Sequence, residues 1–432
     1  MSSDQESGTN PGTEPAAVEP LPAAVAVPEP ELADASTLSG YLRLWLARVR
    51  AGELGSLPIV LALVIIFITF GTLNDTFLTG RNYTNLLLQM AAIATIAIGI
   101  VFVLLIAEID LSVAFVSAVG AVSMTLLLRP DDPGWPWWLA IAAALLVTTA
   151  IGFLHGIVIT KAGVPSFVVT LAGLLIWSGV VLILTTKYST AGIIRIQDDR
   201  VVGIANDFLS DVWGWVIWAV VVAGYGVVQV RTAITRRAHG FAAKPTALIA
   251  FQIVGLAAIM FVAIWYANDD RGVPKVALIL GIFLAFWSFV ATRTRFGRHV
   301  YAVGGNPEAA RRAGINVDRV RIAVFMISGF MAGVGGIMLA SRLRSVATNT
   351  GTGNLLLLVI AAAVIGGTSL FGGHGRVMSA LLGALVIASI QNGMDLMGLA
   401  SGTKFVITGL VLLGAVLIDA YSKRRRAAAG VV

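Results

Sequence analysis

From about residue 57 onward the hydrophobic and polar positions fall into apolar runs of 16 to 24 residues separated by short polar joints. About 20 apolar residues in helical form cross the roughly 30 Å of a bilayer's hydrocarbon, where each backbone N–H and C=O must be bonded within its own helix. Twelve runs meet this description, at 57–73, 86–107, 112–128, 137–160, 166–184, 213–230, 246–267, 275–291, 322–340, 355–370, 377–397 and 403–420. The expected fold is therefore an all-α polytopic membrane protein of about 12 transmembrane helices, with 10–12 compatible with the run boundaries. The short turns 129–136 (RPDDPGWP) and 268–274 (NDDRGVP) carry Asp, Pro and Gly, with Trp135, Trp137, Trp138 and Trp265 at adjacent helix ends, where aromatic belts form.

The first forty residues follow no such pattern. They hold seven acidic residues, no Lys or Arg, and many Pro and Ala, a composition that cannot bury a core. The chain thus divides into a disordered acidic cytoplasmic tail (1–40), a membrane domain (41–421) with a polar loop at 293–321, and a basic cytoplasmic tail (422–432). Composition agrees: 57% of residues are hydrophobic, 12% charged, and cysteine is absent. The net charge of +7 becomes +14 once the acidic tail is set aside, since 30 basic residues then face 16 acidic ones. With the N-terminus inside, 20 of the 30 Lys and Arg fall on cytoplasmic segments, the bias of the positive-inside rule. Both termini are accordingly assigned to the cytoplasm, and the basic excess to orientation in a lipid bilayer, with no nucleic-acid partner.

Several chemistries have no residues to run them. There is no G-x-x-x-x-G-K-[ST] loop for ATP, no H-E-x-x-H or G-x-S-x-G, and no two of His155, His239, His299 and His374 are close in sequence. No catalytic residue, cofactor or metal site is expected, and transport is the default role. The acidic residues most tightly enclosed by apolar sequence are Glu108 and Asp110, in LLIAEIDLSVAFV. Two readings stand: a short cytoplasmic turn in which Asp110 caps the next helix through the N–H of Ser112 or Val113, or a broken helix lining a translocation path.

The polar loop RTRFGRHVYAVGGNPEAARRAGINVDRVR contains its own helix signal. Asn306 is placed as N-cap, Pro307 at the first helical position and Glu308 in the first turn, followed by Ala309, Ala310, Arg311, Arg312 and Ala313, with Gly314 ending the helix. So short a helix is unstable alone in water. It either lies on the protein's own surface as a linker or receives a soluble partner.

FGRHVYAVGGNPEAARRAGINVDRVR resembles the cytoplasmic loop of permease subunits of bacterial ATP-binding-cassette sugar importers, in the branch that takes up ribose, xylose and related monosaccharides. Four further segments match in the same order: AEIDLSV (107–113), VPSFVVTLAG (164–173), IAAAVIGGTSLFGGHG (360–375) and IQNGMDLMG (390–398). The resemblance spans nearly everything after residue 56 and is greatest to xylose-type permeases. It implies a second permease copy, cytoplasmic ATPase subunits that receive Asn306–Gly314 as a coupling helix, and an extracytoplasmic sugar-binding protein, with this chain a multi-pass protein of the bacterial cytoplasmic (inner) membrane.

Further candidates for the pathway are Ser112, Thr170, Gly366, Gly367, Thr368, Gln391 and Asn392. Each has a plainer reading: packing glycines at 366 and 367, a hydroxyl bonded back to its own helix at Thr170, and interhelical hydrogen bonds at Gln391 and Asn392. Two departures from the family pattern stand out. Leu355, Leu356, Leu357 and Leu358 occupy positions where the family often has acids, and the stretch between Gly173 and Phe296 is longer than in ribose-type permeases. The alternative class is a twelve-helix secondary carrier, which calls for two similar halves; no duplication is evident.

Overall fold

The computed structural model describes residues 57–428 apart from 131, 132 and 242, together with Gly40 and Arg43. The acidic tail expected over 1–40 lies, Gly40 aside, outside the described residues, as does the end of the basic tail beyond 428. The described residues form fifteen helices and two three-residue strands. In chain order they are α1 (Leu57–Leu73), α2 (Gly80–Leu105), α3 (Val113–Leu127), α4 (Trp137–Lys161), α5 (Ser166–Tyr188), β1 (Ile193–Arg195), α6 (Asp199–Asn206), α7 (Asp211–Ala238), α8 (Thr246–Asp270) and α9 (Lys275–Arg293). Then come α10 (Arg295–Gly305), α11 (Pro307–Arg312), α12 (Val317–Leu343), β2 (Ser345–Ala347), α13 (Leu355–Ile365), α14 (Met378–Leu396) and α15 (Ser401–Ala428).

Each predicted apolar run coincides with one helix. Among the described residues, eight helices are long and apolar enough to cross a membrane by themselves, and four shorter apolar ones are Leu57–Leu73, Val113–Leu127, Leu355–Ile365 and Ser401–Gly414. The run at 355–370 is the one that differs materially. Its helix stops at Ile365 because Gly367 takes a φ of +98°, so α13 rises only about 16 Å, half a bilayer. The antiparallel pair β1–β2, in the register Ile193↔Ala347, and helix α6 also went unpredicted in what reads as an outer loop. That loop is tied down by Ser341, whose Oγ accepts from Ala205 N at 2.9 Å and donates to Val202 O at 3.0 Å.

Helix α12 is the axis of the bundle, packed on α2, α3, α4 and α6. Lipid tails are as apolar as the side chains, so helices in a bilayer associate through close packing rather than hydrophobic exclusion. Glycines make that approach possible here: a Cβ on Gly329 would overlap the Thr148 carbonyl, and one on Gly152 the Phe325 carbonyl. The two helices therefore meet backbone to backbone, where a methyl group on either side would separate them. By contrast α7 and α8 have little of their apolar length buried and contact the rest mainly where α8 lies against α2.

The turn after α2, the end of α4, the loop containing α10 and α11 and the loop after α13 gather at one end of the bundle. Gly373 N donates to Leu105 O at 2.9 Å, Tyr301 Oη donates to Gly375 O at 2.8 Å, and Lys161 pairs with Asp318 at 3.5 Å. At the opposite end Asn82 and Asn392 exchange two amide hydrogen bonds of 2.8 and 2.9 Å between α2 and α14.

Candidate functional site

The loop between α9 and α12 is built from two helices rather than one. α10 begins at a Thr294 cap, whose Oγ1 accepts from Gly297 N at 3.2 Å, and it buries Val300 and Val303 completely. Phe296, Val300 and Val303 recur at helical spacing, a signal of an amphipathic helix that the expected single helix at 306–314 did not include. α11 follows after Asn306, the predicted N-cap, whose Oδ1 accepts from Ala309 N at 3.0 Å. Pro307 fills the first helical position and Glu308 lies in the first turn, its carboxylate 2.9 Å from Arg311. At the far end Gly314 N bonds Arg311 O and Ile315 N bonds Ala310 O, both at 3.0 Å, with Gly314 at φ +82°. This paired closure requires a left-handed residue just past the helix, and glycine adopts that conformation without a Cβ clash.

α11 is anchored by one small side chain. Ala310 is buried, while Glu308, Ala309, Arg311, Arg312 and Ala313 face solvent. A helix of six residues with both ends capped and one face seated is rigidly displayed, and the displayed face carries paired charges and alanines.

Beneath α10 lie the turn 106–112 and the loop 366–377. A Cβ on Gly304 would overlap the Leu105 carbonyl oxygen and stand 2.7 Å from Gly373 N, the two atoms already bonded to each other. Gly372 and Gly373 have φ of +80° and +72°, and Ala107 reaches +60°, a left-handed value that non-glycine residues rarely hold. Burial pushes the Tyr301 phenol up, with Arg376 pulling weakly the other way. Tyr301 therefore stays a donor to Gly375 at physiological pH. Gly304→Ala is expected to wedge α10 off this joint, lowering the melting transition by the equivalent of about 1–3 kcal/mol. Gly305→Ala, with open space around it, is expected to be neutral. Thermal unfolding of the two variants in detergent checks the contrast, and equal effects would remove the proposed joint.

Glu108 and Asp110 are both held at this joint. Glu108 Oε1 lies 3.0 Å from Arg321 Nε on α12. Asp110 is 5% exposed. Its Oδ1 accepts from Ser112 N at 3.0 Å and Ser112 Oγ at 2.6 Å, while Oδ2 accepts from Ser328 Oγ on α12 at 2.8 Å. The Ser112 N–H bond is the one expected of a turn-capping aspartate. The network runs on into the bundle: Ser112 Oγ is 3.4 Å from His155 Nδ1, and Trp177 Nε1 donates to His155 Nε2 at 3.2 Å. Indole N–H only donates, so Nε2 is the acceptor and the imidazole proton sits on Nδ1, aimed at Ser112. The polar chain thus joins the turn to α12, α4 and α5.

The other candidates divide between the two ends. Thr170 Oγ1 donates to Ser166 O at 2.8 Å, the back-bond expected of it, and lies 3.2 Å from Ile109 O in the same turn. Gly366 packs directly on Ser379, where a Cβ would overlap the carbonyl, and Gly367 supplies the left-handed break. Thr368 is buried, and its Oγ1 has no hydrogen-bond partner among the described residues. Gln391 and Asn392 are far from this group, at the end where Asn392 bonds Asn82; Gln391 is half-buried. Leu105, Gly304, Ser328, His155 and Arg321 complete the joint and were not singled out in the sequence, because each reads there as an ordinary loop or helix residue. Among the described residues, no group of His, Asp and Glu is arranged to hold a metal.

A family described as branched-chain amino acid transport system / permease component matches residues 82–418. The xylose transport system permease protein XylH of Escherichia coli (strain K12) is 38% identical over 363 residues, covering 84% of this chain and 90% of that protein. XylH of Haemophilus influenzae is 33% identical over 376 residues, covering 85% and 96%. The ribose import permease protein RbsC of Escherichia coli (strain K12) is 32% identical over 362 residues, covering 83% and 92%. No solved structure matches the chain.

Proposed function

Because the chain belongs to the branched-chain amino acid transport system / permease component family, we propose that it is the membrane-spanning subunit of an ATP-binding-cassette importer for a monosaccharide. Xylose or a similar pentose or hexose is the substrate class, and the subunit is a multi-pass protein of the bacterial inner membrane. The observation that carries the reading is near full-length similarity to two kinds of sugar permease, reaching 38% identity with the xylose one. ATP hydrolysis belongs to a partner chain that docks on Asn306–Gly314. Two permease copies form the path, and an extracytoplasmic binding protein delivers the sugar. The loop-bearing end of the bundle then faces the cytoplasm, with about twelve membrane segments, of which α13 is a half-length helix, and both termini inside.

The exposed, doubly capped α11 supports the docking role, since its outward face is left uncovered by the other described residues. Support for force transmission comes from the layer beneath. A push on α11 passes to α10, and α10 rests on the Leu105 carbonyl and Gly373 without an intervening side chain. The turn it meets is bonded through Asp110 to α12 and through Thr170 to α5. Cores of this density respond by shifting whole elements rather than by compressing.

Reconstitution tests the reading. In proteoliposomes with its ATPase and binding protein, the permease is expected to support xylose-stimulated ATP hydrolysis and ATP-dependent uptake. Uptake by the isolated chain on a proton gradient, indifferent to ATP, would establish a secondary carrier instead.

A further inference from the structure

Helices α7 and α8 provide a ruler for the membrane. Few residues along the apolar length of either helix are buried, so most of that surface is left uncovered by the other described residues and open to lipid. At one end Trp213 and Trp265 are each 59% exposed, beside Trp215 and Phe261, as in an interfacial aromatic belt. From Trp213 along α7 to Arg231 is about 27 Å, and from Trp265 back along α8 to Thr246 about 28 Å, at 1.5 Å per residue. Both distances equal the hydrocarbon thickness of a bilayer to within a few ångströms. The helices are held in this register by Trp218 Nε1 donating to Ala257 O at 2.9 Å and, nearer the tip, by Gln229 3.4 Å from Gln252.

The ruler places the tip of the hairpin at the opposite headgroup layer. There the chain carries Arg231, Arg236, Arg237 and Lys244, all exposed, and no Asp or Glu occurs anywhere from Val212 to Asn268. Ile234 and Phe241, among these cations, are 60% and 64% exposed. Cations and apolar side chains interleaved at headgroup depth suit a surface that presses into the acyl boundary while its charges meet phosphates. A soluble acidic partner would leave Ile234 and Phe241 unexplained, whereas the lipid surface accounts for both kinds of residue.

We infer that the α7–α8 tip is a binding site for the headgroups of anionic phospholipids, independent of the coupling loop. The site selects lipids that carry net negative charge over zwitterionic ones, through phosphate contacts from arginines on α7 and Lys244 before α8.

Spin-labelled lipid exchange measures this on the full-length protein in phosphatidylcholine vesicles, with labelled phosphatidylglycerol and labelled phosphatidylcholine as the two probes. The wild type is expected to prefer the glycerol lipid by about fivefold or more, the scale of a single cation in contact, and to lose most of that preference at high salt. Changing Arg231, Arg236, Arg237 and Lys244 to Gln brings the ratio close to one. The milder pair Arg231→Gln with Lys244→Gln gives an intermediate value should the fourfold variant insert poorly. Arg231→Lys with Arg237→Lys retains the preference, as does Lys187→Gln with Arg195→Gln at the other end of the bundle. A wild type without preference would overturn the proposal, as would a fourfold variant that keeps it. So would a variant that keeps its lipid preference and loses only the ATPase subunit, since that result assigns the tip to a soluble partner.

Discussion

Arg311→Glu and Glu308→Arg are each expected to leave the protein inserted and folded while cutting sugar-stimulated ATP hydrolysis of the reconstituted importer more than tenfold. The two side chains form an exposed pair at 2.9 Å, with 54% and 69% of their surfaces in solvent. Pairs of this kind contribute at most about 1 kcal/mol to a fold. Nothing else in α11 depends on them: the Asn306 cap, the buried Ala310 and the Gly314 closure lie on other atoms. A partner that covers the helix changes the balance, because a reversed charge taken out of water opposite an unsuitable group costs several kcal/mol, and about 1.4 kcal/mol is already tenfold. Reversing both charges restores the pair within the helix without restoring the face the partner reads, so the double variant stays inactive. Membrane yield, co-purification of the ATPase and stimulated hydrolysis distinguish these outcomes. A double reversal with full activity would return α11 to the role of a linker on its own surface.

Much of this helix was legible in sequence, because caps act over three or four residues and have narrow residue preferences. Asn306, Pro307 and Gly314 stand where local rules put them. The apolar runs were legible for a similar reason, since a bilayer imposes length and composition on each helix separately. What lies between elements was not. Gly304 matters through the carbonyl of Leu105, almost two hundred residues earlier in the chain, and Ser328 through Asp110; neither pairing leaves a periodic trace. The break at Gly367 was hidden by composition, for glycines inside an apolar run read equally as tight packing or as the end of a helix. Glu108 and Asp110 do sit in a turn, one whose Asp110 and Ser112 are buried while Ala107 and Ile109 stay exposed, a division that the run of residue types does not announce.

Asp110→Leu is expected to have the largest structural cost of any change at this joint. The substitution keeps the side chain's branching and number of heavy atoms, puts bulkier methyls in place of both carboxylate oxygens and so removes the acceptors. It leaves Ser112 N, Ser112 Oγ and Ser328 Oγ without their acceptor in a site from which water is excluded. A buried donor left unpaired costs about 1–3 kcal/mol, so three together approach the stability of a typical domain. Serine hydroxyls can turn toward backbone carbonyls and recover part of this, whereas the N–H of Ser112 cannot. Little properly inserted protein should therefore accumulate, and what does should melt well below the wild type. Asp110→Asn separates charge from hydrogen bonding. Its amide oxygen still accepts from Ser112, and its NH₂ donates to Ser328 Oγ, so the fold and most of the melting temperature should survive. If α10 acts on α12 through this residue, transport per ATP hydrolysed falls in the Asn variant even with yield near normal, because the ionic hold on Ser328 has been weakened. Equal yield and melting temperature for the Leu variant and the wild type would show that the carboxylate is dispensable to the joint.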